Sequence, residues 1–338
     1  MFGCRSCNFS CKYCMGPNKR SNETFILDKD KLLSAIRVYF KRYPNRNHNF
    51  FIWGGEPLVH FEELKQTVFF LKENFPNKRI SFSTNGFLLR QKEIRNFIFE
   101  NNLRLQLSID GIAQYVRSNF NPLEDDIISL FLTELAHKNL LTINCVMHNK
   151  NFSIKANIDY FSNWMIKYDC LDSKLNIRFT PFNESNLTPD FNLSGRQLTI
   201  FINEFEELYF YALLGNHKDA ILNHFIRFPL KIIKESNFNK CNWDDYNQCT
   251  RFFSGKSKIS NHIDTKGNFI TCNLIDSGVA PRGKKVKIFP KYCKNCEFYK
   301  MRGCWPCPAG DFAERCEWKK AWMQLQKRML YLKNLLKD

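Results

Sequence analysis

"HNFFIWGGEPLVHFEELKQTVFFLKENFPNKRISFSTNG", residues 48–86, sets the pattern for the first half of the chain. The short apolar run "FFIW" stops at two glycines and reads as a strand. A helix follows around residues 60 to 75, and "RISFSTNG" is a second strand that stops at Asn85-Gly86. A strand, a crossover helix and a second strand make a right-handed βαβ unit, whose strands run parallel.

The same alternation extends in both directions. Upstream, "DKDKLLSAIRVYFKRY" (28–43) is an amphipathic helix. Downstream come a helix around 90 to 102, the strand "LRLQLSIDG" (103–111), a helix around 123 to 138 and the strand "LLTINCVM" (140–147). A helix around 156 to 168 and the strand "LNIRFTPF" (175–182) complete the series. Five strands separated by helices predict an α/β fold with a parallel sheet. Three strands run into "WGGEP", "STNG" and "SIDG", which puts small and polar groups at the carboxyl ends, where α/β sheets and barrels bind ligands.

A chain of 338 residues suffices for one large domain, or for a large domain with a smaller one appended. No apolar run approaches the length of a membrane span, and the first residues lack the basic-then-apolar pattern of a signal peptide. The expectation is a cytoplasmic protein with no membrane partner. A net charge of +17 suits an acidic partner or, equally, a solvated lysine-rich surface. No basic block carries interleaved aromatics, so nucleic acid is not favoured.

Fourteen cysteines in a reducing compartment point to metal ligation rather than disulfides. Cys4, Cys7, Cys11 and Cys14 lie at one end of the chain. Cys241, Cys249, Cys272, Cys293, Cys296, Cys304, Cys307 and Cys316 lie at the other, with only Cys145 and Cys170 between. Cys7, Cys11 and Cys14 form C-x3-C-x2-C, with Tyr13 before the last thiol. Three thiolates on one loop can hold three irons of a 4Fe–4S cluster and leave the fourth iron open. A zinc site or a group of reduced thiols is the competing reading of the spacing alone.

With "CNFSCKYC", "GGEP", "STNG" and "SIDG" in this order, residues 4 to 185 resemble the radical SAM superfamily. The resemblance implies a partial (β/α)6 TIM-type barrel whose cluster binds S-adenosylmethionine through its open iron. Reductive cleavage would then give a 5′-deoxyadenosyl radical that abstracts hydrogen from the substrate. It implies that Tyr13 touches the adenine, that Gly54, Gly55, Glu56 and Pro57 receive the methionine amino group, and that Thr84, Asn85, Ser108 and Asp110 join the cofactor site. Arg117 is the nearest candidate to pair with the cofactor carboxylate. Ser108 and Asp110 also suit ordinary capping of a strand end. The family's first strand should precede the cysteine loop, but only six residues precede Cys7. The recorded start is truncated, or the barrel begins with an incomplete strand; Cys4 is read as a spare thiol.

The later cysteines suggest two four-thiol sites, and Cys293-x2-Cys296 with Cys304-x2-Cys307 taken alone reads as a zinc ribbon. After a radical SAM core, the series from Gly267-x4-Cys272 onward resembles the SPASM extension with two auxiliary 4Fe–4S clusters. That resemblance assigns Cys241, Cys249, Cys272 and Cys307 to one cluster and Cys293, Cys296, Cys304 and Cys316 to the other. The expected domains are a barrel over 1–185, a helical connector over 186–240 and a SPASM domain over 241–338.

The family resemblance implies a maturase that oxidises or crosslinks a ribosomally made peptide or protein. An acidic leader and a flavodoxin- or ferredoxin-type reductant are the expected partners. A sulfatase maturase, a peptide epimerase and a small-molecule radical SAM dehydrogenase are the enzyme alternatives; a zinc-ribbon nucleic-acid-binding protein is the non-enzyme one. The sulfatase reading is weakened because Asn273 follows Cys272, where that branch carries an aspartate base, although Asp276 or Glu184 could substitute. An epimerase needs a thiol that returns a hydrogen atom. Cys145 would serve if it faces the barrel interior, against the alternative of a buried structural cysteine. Cys170 has no expected role, and His148 is either a polar strand-end residue or a substrate contact.

Overall fold

A computed structural model describes residues 6–14, 26–44, 48–181, 189–193, 195–214, 220–235 and 262–270, with seven helical residues between 324 and 335. Its centre is a five-stranded sheet of β1 (Phe50–Ile52), β2 (Ile80–Thr84), β3 (Arg104–Ser108), β4 (Leu141–Met147) and β5 (Asn176–Pro181). The spatial order is β1-β2-β3-β4-β5, and every neighbouring pair is parallel. Helices α1 (Lys29–Arg42), α2 (Phe61–Asn74), α3 (Lys92–Glu100), α4 (Asp126–His137) and α5 (Ile154–Lys167) alternate with the strands. Strands that follow one another in both sequence and space, joined by right-handed crossovers, put the helices on one face. This is the winding of a partial barrel rather than of a doubly wound sheet. The strand expected ahead of the cysteine loop lies outside the described residues.

Side-chain alternation divides the sheet accordingly. Ile80, Phe82, Leu105, Leu107, Ile143, Ile177 and Phe179 are fully buried on the helix-covered face. Ser81, Ser83, Gln106, Ser108, Asn144, Arg178 and Thr180 alternate with them and are only partly buried. The second set makes a polar inner face.

Local signals start the helices where the sequence puts them. Asp28, Asp125 and Ser153 each accept a hydrogen bond from a backbone N–H three residues on, at 3.1 Å, capping α1, α4 and α5. Helices α6 (Gly195–Leu213) and α7 (Ala220–Glu235), which composition sets apart as a connector, pack into the same core. The Phe225 ring of α7 stacks on Phe179 of β5 at 5.7 Å. The Tyr209 hydroxyl of α6 donates to the carbonyl of Met329 at 2.8 Å.

A two-stranded hairpin, β6 (His262–Ile263) and β7 (Phe269–Ile270), rests on the start of α1, where Asp28 N–H donates to the Thr265 carbonyl at 2.9 Å. Gly267 turns the hairpin with φ +78°, and a Cβ there would lie 2.5 Å from the Lys31 carbonyl carbon. The glycine of the G-x4-C step therefore serves close packing against the barrel's first helix. All eight cysteines assigned to auxiliary sites, with Cys4, Glu184, Asn273 and Asp276, lie outside the described residues.

Candidate functional site

The cysteine loop, residues 6–14, is fastened to the carboxyl ends of the strands. Glu56 N–H donates to the Ser6 carbonyl at 2.8 Å, and Lys12 N–H to the Val116 carbonyl at 3.2 Å. Phe9 meets Phe87 and Phe120 edge-on at 6.2 and 6.4 Å, wedged between the segments that follow β2 and β3. Cys7 is half-buried, Cys11 buried and Cys14 exposed. Burial pushes the Cys7 thiol up to about 12, with the charges of Glu56, Cys11 and Cys14 adding to the shift.

This donor set tests the fit of an iron–sulfur group. Cys11 and Cys14 lie near enough to Cys7 for their charges to raise its proton affinity, and soft thiolates suit such a centre. A cation bound among them would deprotonate them. Among the described residues, no three His, Cys, Asp or Glu side chains gather closely enough around one point for a single metal ion. A cluster asks less of that convergence, because it takes one thiolate on each of three irons. The residue types fit the group.

Glu56 has a role that its motif did not reveal. Its carboxylate accepts from Leu58 N–H at 3.2 Å and from Asn85 N–H at 2.7 Å, while the side chain is almost wholly buried. It thereby ties the loop after β1 to the loop after β2. Burial raises its pKa to about 7, against the lowering effect of these hydrogen bonds and one from Thr84. Asn85 in turn donates through Nδ2 to Asn8 Oδ1 at 2.7 Å, reaching the cysteine loop. Pro57 begins the short 3-10 turn after Glu56, Gly54 is half-buried and Gly55 exposed.

A second junction joins the loop to β3 and β4. The Tyr13 hydroxyl donates to Asp110 Oδ2 at 2.6 Å and accepts from Arg117 Nη1 at 2.6 Å. His148 Nε2 lies 3.4 Å from the same Asp110 oxygen, and its Nδ1 accepts from Lys150 N–H at 3.1 Å, which leaves the proton on Nε2. The His148 and Phe191 rings lie 5.1 and 5.7 Å from that of Tyr13. Burial holds the Tyr13 phenol protonated, well above its usual range. Arg117 is mostly buried, which works against its charge, but the Tyr13 oxygen and the Asp110 carboxylate opposite it raise its pKa overall. Asp110 Oδ1 and Arg117 Nε are buried with no hydrogen-bond partner. Asp110 Oδ1 forms an ion pair with Arg117 Nη1 at 3.5 Å, so Arg117 Nε is the atom of this junction that suits a polar ligand beside Tyr13.

Gly111 closes the "SIDG" turn with φ +55°, and a Cβ there would lie 1.9 Å from Asn157 Oδ1. That oxygen accepts from Ile112 N–H at 3.3 Å, and Asn157 Nδ2 donates to Asn151 Oδ1 at 2.7 Å. Cys145 joins this asparagine network: Asn151 Nδ2 lies 3.3 Å from its Sγ, and Asn157 Oδ1 3.7 Å. The condition for Cys145 as a hydrogen donor, that it face the interior, is not met, because it alternates onto the helix-covered face and is fully buried against α5. Burial also raises its pKa well above the usual thiol value. Cys170 is likewise buried. His148 is buried as a junction residue, and Ser108 lies half-buried on the inner face.

Sequence reasoning did not single out Asn8, Gln114, Asn151, Asn157 or Phe191. Gln114 accepts from Asp110 N–H at 3.1 Å and donates to the Phe120 carbonyl at 3.0 Å, locking the segment that carries Arg117. The "SIDG" glycine was the available hint of a close neighbour.

Residues 1–149 match the family model of the Radical SAM superfamily. The match covers less than half of the chain, and for that part it implies S-adenosylmethionine and one 4Fe–4S cluster. An uncharacterized protein of Methanocaldococcus jannaschii is 32% identical over 108 residues, which cover 31% of this chain and 36% of that protein. The chain thus spans about a third of the length of that curated relative. A radical SAM methyltransferase from Sphaerobacter thermophilus, known from its crystal structure, is similar over 60% of this chain and 63% of its own, with TM-score 0.39 and 14% identity. No helix among the described residues is long and apolar enough to cross a membrane.

Proposed function

We propose that the protein is a radical SAM enzyme that modifies a peptide or protein side chain, oxidising or crosslinking it. The observation that carries the reading is the three-thiol loop seated at the carboxyl ends of a singly wound parallel sheet, within a segment that matches the Radical SAM superfamily. Cys7, Cys11 and Cys14 would hold the cluster. When bound, the cluster and S-adenosylmethionine would supply a 5′-deoxyadenosyl radical able to remove hydrogen from a C–H bond.

The chain's own residues position and enclose. Glu56 fixes the loop after β1 through two backbone N–H groups, leaving Gly54 and Gly55 to offer backbone to the cofactor's amino group. Arg117 and Asp110 hold the Tyr13 hydroxyl from two sides and so fix the ring that would meet the adenine. Thr84, Asn85 and Ser108 stand at adjoining strand ends. Phe9, Phe87 and Phe120 wall one side against water.

The peptide substrate is supported by the cysteine series from Cys241 to Cys316, which resembles the SPASM extension and would carry two auxiliary clusters, and by the net charge of +17, which suits an acidic leader. A flavodoxin- or ferredoxin-type protein would supply the electron.

The test is anaerobic reconstitution, with iron and sulfide counting and an assay of 5′-deoxyadenosine formed from S-adenosylmethionine under dithionite. Three clusters give about twelve irons per chain, and one gives about four. Replacing Cys7, Cys11 or Cys14 with alanine should abolish 5′-deoxyadenosine formation. Bound zinc without cofactor cleavage would overturn the reading.

A further inference from the structure

The inner face of the sheet carries charge of one sign. Arg104 and Arg178 alternate onto it, and no carboxylate occupies the corresponding positions of β2 to β5. Arg178 matters more because of its height on the strand. It pairs in register with Asn144, which pairs with Ser108; one step further along β4 and β5, Val146 pairs with Thr180. Val146 packs against the group of Tyr13, Ala113 and Val116. At ~3.3 Å per residue, the Asn144–Arg178 row lies ~7 Å below the row that touches Tyr13. Thr180 Oγ1 donates to Asn144 Oδ1 at 2.6 Å, which confirms that these side chains share the inner face. Phe179, between Arg178 and Thr180, turns the other way to stack on α7.

Nothing among the described residues balances this guanidinium. It makes no ion pair with a described carboxylate, and its Nε is buried without a hydrogen-bond partner. Burial alone lowers its pKa. A partly desolvated, unpaired arginine is costly to the fold, so a role in binding accounts for its presence better than packing does. A planar guanidinium with free N–H donors suits a carboxylate or a phosphate.

We propose that Arg178, with Asn144 and Thr180 beside it, forms an oxyanion site on the inner face that receives a carboxylate or phosphate group of the substrate. The substrate enters from the strand ends, places its anionic end at Arg178 and leaves its reacting carbon near Tyr13. This rests on the proposed function for the identity of the ligand as substrate; the site itself does not need cofactor cleavage to be detected.

The experiment uses the reconstituted full chain and the variants Arg178→Met and Arg178→Lys. Melting temperature is recorded in chloride and, at matched ionic strength, in glutarate or inorganic phosphate; S-adenosylmethionine affinity is measured separately. Expected are a Met variant that melts no lower than wild type in chloride, a melting temperature that glutarate or phosphate raises in wild type and not in the Met variant, and partial retention of that response in the Lys variant. Cofactor affinity should stay within about twofold. A Met variant that melts several degrees lower would mean that the guanidinium has a structural counterion. A tenfold loss of cofactor affinity would assign it to the carboxylate of S-adenosylmethionine instead. Equal anion responses in wild type and variant would remove the site altogether. If wild type holds no iron–sulfur cluster, the proposed function fails, while the comparison of anion responses still decides the site.

Discussion

The two faces of one sheet are built from the same strands and differ in almost everything else. On the covered face, Phe82, Leu107, Ile143 and Phe179 alternate with residues on the inner face, where Ser83, Ser108, Asn144 and Arg178 stand. Burial of the first set supplies much of the driving force for folding, at roughly 25 cal/mol per Å² of apolar area. The second set contributes little and in Arg178 opposes it. The winding that puts the helices on one side therefore frees the other for recognition, so stability and binding can be altered with little interference.

That separation can be broken experimentally. The largest effect is expected from Phe179→Ala, which removes a buried ring stacked on Phe225 and should cost about 3–5 kcal/mol in chemical denaturation. An equally small loss there as on the inner face would end the distinction.

Glu56 gives the next largest effect, through pH. Its folded pKa of about 7 lies above the usual carboxylate value, so between about pH 4.5 and 7 the folded chain holds a proton that the unfolded chain releases. Stability should fall as pH rises through this window, by about 3 kcal/mol in all. Glu56→Gln should flatten that slope, although its amide would face backbone N–H groups and lower stability overall. Parallel stability profiles for the two proteins would show that Glu56 does not titrate there.

Gly111→Ala comes third. A Cβ directed at Asn157 Oδ1, together with the positive φ, should cost about 2–3 kcal/mol, and adding Asn157→Ala should recover part of it. No recovery in the double variant would mean that backbone strain alone sets the cost. Least affected should be the inner face itself: Gln106→Ala is expected to change stability by no more than about 0.5 kcal/mol.

Much of this arrangement was legible in the sequence, for physical reasons. Each strand is a short apolar stretch stopped by glycine or a polar cluster, and the helices carry their own caps, as at Asp28, Asp125 and Ser153. The cysteine loop was legible because strands ending in "GGEP", "STNG" and "SIDG" follow three thiols whose spacing alone also suits zinc. The contacts that seat the loop were not. Tyr13 and Arg117 are 104 residues apart and meet only after three strands assemble, and no local pattern encodes such a contact. Alternation shows that Cys145 and Asn144 face opposite ways, but which of them meets α5 depends on where the helices pack. Glu56 was expected to offer its charge to a ligand; in the fold its oxygens are already occupied by Leu58 and Asn85.

The fastening of the cysteine loop also sets an order in time. Ser6, Tyr13 and Lys12 hold to Glu56, Asp110 and Val116, so the thiols leave the ribosome well before the groups that seat them. At about 5–20 residues per second, Arg117 follows Cys7 by roughly 5–20 seconds. During that interval the three cysteines sit on an unanchored chain, open to oxidation or to the wrong metal. Cluster delivery thus has a natural checkpoint, because a nascent chain cannot offer the finished cradle until its third strand has been made.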